Sequence, residues 1–196
     1  MNKYLAAAGI LAVLSVPAAA ELSPLLGTMN ADNVTLYPGL QTYPNGPFHP
    51  MGAIYTTIAT AATTTATTEL VLGTYSLPAN ALDTTGRRLR IRAVFHAATN
   101  GNNKTMKLYF GASVISTGVV TTSNANIVLS LQVVKSGSST QIVTGEGIVD
   151  TTPITPYVNA GTDTDTSAIV IKATGQDGSA SAGDIVLEDL FVEYMN

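Results

Sequence analysis

Residues 126–135 read Asn126-Ile127-Val128-Leu129-Ser130-Leu131-Gln132-Val133-Val134-Lys135 and decide the fold class. Ile127, Leu129, Leu131 and Val133 recur at every second position, with Ser130 and Gln132 between them. A strand turns successive side chains to opposite faces, so this spacing gives one apolar face and one mostly polar face. A helix would spread the same residues over both of its sides. The pattern recurs where Met106, Leu108 and Phe110 oppose Lys107 and Tyr109.

Outward from these two runs, Gly, Pro, Asn and Asp clusters mark turns at Pro78-Ala79-Asn80, Asn100-Gly101-Asn102-Asn103, Ser136-Gly137-Ser138 and Gly175-Gln176-Asp177-Gly178. They bound eight strand candidates: Glu69–Leu77, Arg87–His96, Thr105–Gly111, Ser113–Val119, Asn126–Lys135, Thr140–Val149, Thr166–Thr174 and Asp184–Tyr194. No helical pattern follows the amino terminus. The reading is all-β: an eight-stranded antiparallel jelly-roll sandwich over 69–196, preceded by an extended N-terminal arm.

Composition supports that class. Only 11% of residues are charged, while β-branched residues, which fit the pleated surface of a strand, abound. A net charge of −4 offers no clustered basic footprint for a polyanion, so no nucleic-acid partner is expected. With no cysteine there is no disulfide, thiolate nucleophile or sulfur-ligated zinc. The one concentration of positive charge is Arg87, Arg88, Arg90 and Arg92. Arg90 and Arg92 flank Ile91 in alternation with Leu89, Ala93 and Phe95, which predicts a shared row facing solvent or a subunit. The last strand candidate carries Glu188, Asp189 and Glu193, an acidic face able to meet that row across a sheet or a subunit boundary.

The first 68 residues divide in two. Met1–Glu21 has a basic start at Lys3, an apolar run from Tyr4 to Val16 and small residues at Ala18 and Ala20. Two readings stand for residues 1–20: a secretory signal cleaved after Ala20, or an apolar segment buried in an assembly interface. The run falls short of the roughly 20 residues a bilayer-spanning helix needs, so no stable membrane anchor is expected. Residues 21–68 combine an arm with a linker or edge strand. Pro24, Pro38, Pro44, Pro47 and Pro50 forbid a long regular element in the arm, and Tyr37, Tyr43 and Phe48 are its candidate anchors on a neighbouring subunit. Thr56–Thr68 is a low-complexity run suited to an edge strand or a linker.

Motifs that carry chemistry do not assemble. His49 and His96 lie in no GxSxG-like setting and lack acidic companions at ligand spacing, so they read as packing residues and neither a catalytic nor a metal site is predicted. Asp163 and Asp165 alternate with threonines like part of a calcium loop but lack its Gly and distal Glu, and solvated loop carboxylates are the reading adopted. Without Trp there is no obvious aromatic platform for sugars. No cofactor is expected, and the chain reads as non-enzymatic.

Three segments carry a family resemblance: Tyr75-Ser76-Leu77-Pro78-Ala79-Asn80-Ala81-Leu82, the arginine-bearing run from Gly86 to Ala93, and Asn102-Asn103-Lys104-Thr105-Met106-Lys107-Leu108-Tyr109-Phe110-Gly111. Together they resemble a recurring pattern in structural proteins of tailed-bacteriophage virions, in which such segments open a small jelly roll. The resemblance covers roughly residues 69–196. It implies a capsid decoration, cement, head-fibre or tail-associated protein, located in the virion, that assembles as a homotrimer and with other virion proteins through subunit contacts. Arg88, Arg90 and Arg92 join the arm aromatics as subunit-interface candidates. The signal-like start departs from the family's pattern and sustains an alternative: a secreted or cell-surface bacterial adhesin or ligand-binding sandwich.

Overall fold

The computed structural model describes residues 52–57 and 61–195. Twelve strands follow in chain order: β1 (Gly52–Thr57), β2 (Ala61–Ala62), β3 (Leu70–Leu77), β4 (Arg88–Ala97), β5 (Lys104–Phe110), β6 (Ser113–Ser116), β7 (Asn126–Gly137), β8 (Thr140–Val149), β9 (Thr152–Pro153), β10 (Tyr157–Gly161), β11 (Ile169–Asp177) and β12 (Ile185–Tyr194). There is no helix among the described residues, and every pairing is antiparallel.

Two sheets form. The larger runs β1-β12-β4-β7-β8-β10, with β2 also on β12 and β9 on β8. The smaller runs β3-β11-β5-β6. Alternation explains why they stack as a β-sandwich. On β4, Leu89, Ile91, Ala93 and Phe95 are wholly buried, and so are Ile127, Leu129, Leu131 and Val133 on β7. The smaller sheet answers with Met106, Leu108, Phe110, Ile171 and Ala173. Burying a large apolar side chain contributes roughly 1.5–3 kcal/mol, so these inward rows are what hold the sheets together. At one margin the rings of Tyr55 on β1 and Tyr75 on β3 stack with centroids 4.7 Å apart, joining the two sheets.

The eight expected strands correspond to β3–β8, β11 and β12, with shifted ends. The expected Ser113–Val119 strand stops at Ser116, because Thr117 hydrogen-bonds the Gly118 carbonyl at 2.7 Å and Gly118 turns to a φ of 68°. The run expected from Thr166 begins only at Ile169 and continues to Asp177. Four strands go beyond the eight: β1, β2, β9 and β10. Two-residue strands are too short to show a period, and Tyr157-Val158-Asn159-Ala160-Gly161 has little hydrophobic alternation of its own. The interface candidates Tyr37, Tyr43 and Phe48, with His49 and all of residues 1–51, lie outside the described residues.

Candidate interaction surface

The outer face of the larger sheet gathers the charged side chains that the sequence singles out. Because Leu89, Ile91 and Ala93 point inward, Arg88, Arg90 and Arg92 must point outward, and all three are exposed. The acidic strand meets them inside the sheet rather than across a subunit boundary. Arg90 lies opposite Glu193 of β12 and makes an ion pair with it. Arg92 sits beside Phe191 on one side and Ser130 on the other, and Ser130 in turn faces Glu146 of β8. These residues, with Gln132 and Asp189, line a shallow depression of about 520 Å³. Arg92 and Glu146 make no ion pair or side-chain hydrogen bond among the described residues. Arg87 leaves the row: it is buried, with its guanidinium 3.9 Å from the Tyr194 ring centroid.

The outer face of the smaller sheet carries a second polar group, which is satisfied within the chain. Glu69 accepts hydrogen bonds from Lys107 Nζ at 2.6 Å, Tyr109 Oη at 2.7 Å and Thr174 Oγ1 at 2.7 Å. Burial works to raise the Glu69 carboxyl, but these three donors outweigh it and hold its pKa down at about 2. The same bond to Glu69 raises the Lys107 ammonium.

A third polar group closes one end of the sandwich. Lys104 is fully buried, and its Nζ donates to the Asn100 carbonyl at 3.1 Å, Asn100 Oδ1 at 2.7 Å and the Asn102 carbonyl at 3.0 Å. Asp184 accepts from Asn100 Nδ2 and Asn102 Nδ2, each at 2.8 Å. Burial works to raise Asp184, and those amide donors hold it below its ordinary value. Asp177, opposite Lys104 in the register, is raised by burial and next by the neighbouring Asp184 charge. The nearby Thr63 hydroxyl pulls it the other way without a well-formed hydrogen bond, because both carboxyl oxygens are buried and unpartnered. This group ties the 100–103 loop to the end of the fold and gives the Asn102-Asn103-Lys104 segment a structural role. Its signal in the sequence is parity: Lys104 stands two residues before Met106, in the inward row.

The aspartates of the faint calcium-like loop do not stay solvated, contrary to expectation. Asp165 is buried and paired with Lys135, whose ammonium also donates to the Leu82 carbonyl at 2.6 Å. The Lys135 hydrogen bond, chiefly, lowers the Asp165 pKa. Asp163 instead accepts the Ala112 N–H at 3.1 Å, so the two carboxylates serve separate partners. Among the described residues no three His, Cys, Asp or Glu side chains gather as a metal site would require. His96 places Nε2 3.1 Å from Asn124 Oδ1. No protein-family model matches the chain, and no curated protein does either.

Proposed function

We propose that this chain is a non-enzymatic structural protein of a tailed-phage virion, and that its sandwich is a jelly roll acting through subunit contacts on the capsid or tail in a decoration, cement or fibre role. The order of strand pairing supports the jelly-roll part of this reading. Taking β1, β3, β4, β5, β6, β7, β11 and β12 as the eight strands of the roll, with β1 in place of the expected Thr140–Val149 strand and a start at Gly52 rather than at residue 69, the first pairs with the eighth, the second with the seventh, the third with the sixth and the fourth with the fifth. That is one long hairpin. Rolling it up brings the eighth strand against the third and the seventh against the fourth, which is the pairing of two Greek keys in a jelly roll. On this reading β8, β9 and β10 are an insertion that widens one sheet.

The phage assignment draws its support from the three resembling segments, which fall on consecutive elements: the end of β3 with its Pro78-Ala79-Asn80 turn, strand β4, and the loop and strand of β5. A fold alone does not name a function, so the test is one of location. Mass spectrometry of gradient-purified particles should find the product at a fixed stoichiometry to the major capsid or tail protein. Its absence from particles and accumulation in the culture medium, with a new amino terminus at Glu21, would overturn the virion reading in favour of a secreted sandwich.

A further inference from the structure

We propose that the outer face of the larger sheet is an interface with a second copy of this chain, the two related by a two-fold axis that runs along β7. The inference rests on the reading above that the chain acts through subunit contacts, and it assigns one contact surface with two-fold symmetry in place of the homotrimer that the family resemblance implies.

The argument comes from the register. Across the sheet Arg92, Ser130 and Glu146 form one row, on β4, β7 and β8, with the two opposite charges one strand to either side of Ser130. Neighbouring strands are about 4.8 Å apart, so Arg92 and Glu146 stand roughly 10 Å from each other within the chain, and among the described residues neither has an ion-pair partner. A two-fold axis along β7 exchanges the positions of β4 and β8. It lays Arg92 over the second copy's Glu146, and by symmetry Glu146 over its Arg92.

The next row obeys the same operation. Val94, Val128 and Ile148 are in register on the outer face, and Ile148 is exposed. The axis sets Val94 on Ile148 and Val128 on itself, apolar against apolar. An axis along β4 would instead set Arg92 on Arg92, and one along β8 would set Glu146 on Glu146, so the β7 axis is favoured over these neighbours, although in the rows beyond it lays Arg90 over Thr144 and Arg88 over Ile142. Five strands, β12 to β10, overlap under this axis. At about 4.8 Å per strand and about 6.8 Å per outward row, they offer on the order of 700 Å² per copy, close to the roughly 800 Å² per partner of a stable interface. The mixed lining carries nearly balanced charge, as self-association requires.

Charge reversal tests the pairing on the full-length chain. Arg92→Glu and Glu146→Arg should each weaken self-association by roughly tenfold or more, read by sedimentation and light scattering, because each sets like charges together at two symmetric places. The double variant Arg92→Glu/Glu146→Arg should restore association to near that of the parent chain. Both side chains are exposed, and unchanged circular dichroism and melting will show that the fold survives. The chain has no cysteine, so Ser130→Cys, on the axis, should be captured as a dimer by a short bis-maleimide cross-linker, whose reach matches the roughly 10 Å between facing sheets, far faster than Val119→Cys, which lies off this face. A monomeric or strictly three-copy parent chain, single variants of unchanged mass, or a double variant worse than either single one overturns the two-fold interface. Unchanged masses also describe a face left bare, covered by the chain's own first 51 residues, or given to a different partner. Particle incorporation is scored separately: a chain that pairs but is absent from particles sinks the virion reading alone, and one that is incorporated without pairing sinks this interface alone.

Discussion

Two ion pairs show why position matters more than charge. Arg90 and Glu193 form theirs on an outer face, with the arginine side chain 49% exposed, and exposed pairs contribute about 0–1 kcal/mol. Lys135 and Asp165 are 11% and 8% exposed, and removing one partner of a buried pair costs about 3–5 kcal/mol because the other charge is left stranded. In urea denaturation, Arg90→Ala should therefore lose less than about 1 kcal/mol and Lys135→Ala about 3–5 kcal/mol. Glu69 supplies a pH dependence. Its carboxyl is held near 2, below its ordinary 4.5, so the folded state binds the proton less readily than the unfolded chain. Its stabilising contribution is complete above pH 4.5 and is lost as pH falls through 2. Comparing urea midpoints of the parent and Glu69→Gln should show a gap at pH 7 that closes by about pH 2. Parity along a strand reveals that Lys104 points inward, but nothing local announces Asp177 or Asp184 as its neighbours, since that meeting depends on which strands pair.

At the scale of elements, the tight β5–β6 hairpin shows how a turn and a distant loop become one unit. Gly111 adopts a φ of 53°, and a Cβ placed on it would come within 2.0 Å of Asp163 Oδ1. Gly111→Ala thus meets both an unfavourable backbone conformation and overpacking, and should lower stability by about 1–3 kcal/mol, read as a shift in thermal midpoint. The alternation of β4, β5 and β7 was readable from the chain because each has one buried and one outward row. β10 was not: Val158 is 73% exposed, so its strand character comes from hydrogen bonds to β8 rather than from a buried row. The acidic residues of β12 were legible as a face, and their partners became definite only once β12 lay beside β4.

On the scale of the whole molecule, the class and most strand positions follow from alternation, whereas sheet order is a property of long-range pairing that no window of sequence contains. The proposed arm contact is testable at this scale. Deleting residues 21–50 removes none of the strands described here, so circular dichroism and melting should remain those of a folded sandwich. If Tyr37, Tyr43 and Phe48 anchor neighbouring subunits, the deletion should abolish incorporation into particles, because truncating well-packed aromatic contacts commonly costs 2 kcal/mol or more each. Normal occupancy after deletion would show the arm to be passive. The place of β12 in the larger sheet, between β1 and β4, also bears on how the chain is made. Gly52 pairs with Tyr194, so the ribosome must add everything between them before β1 finds its neighbour. At about 5–20 residues per second this leaves β1 waiting on the order of ten to thirty seconds, with the β4 edge open to other nascent chains for much of that time.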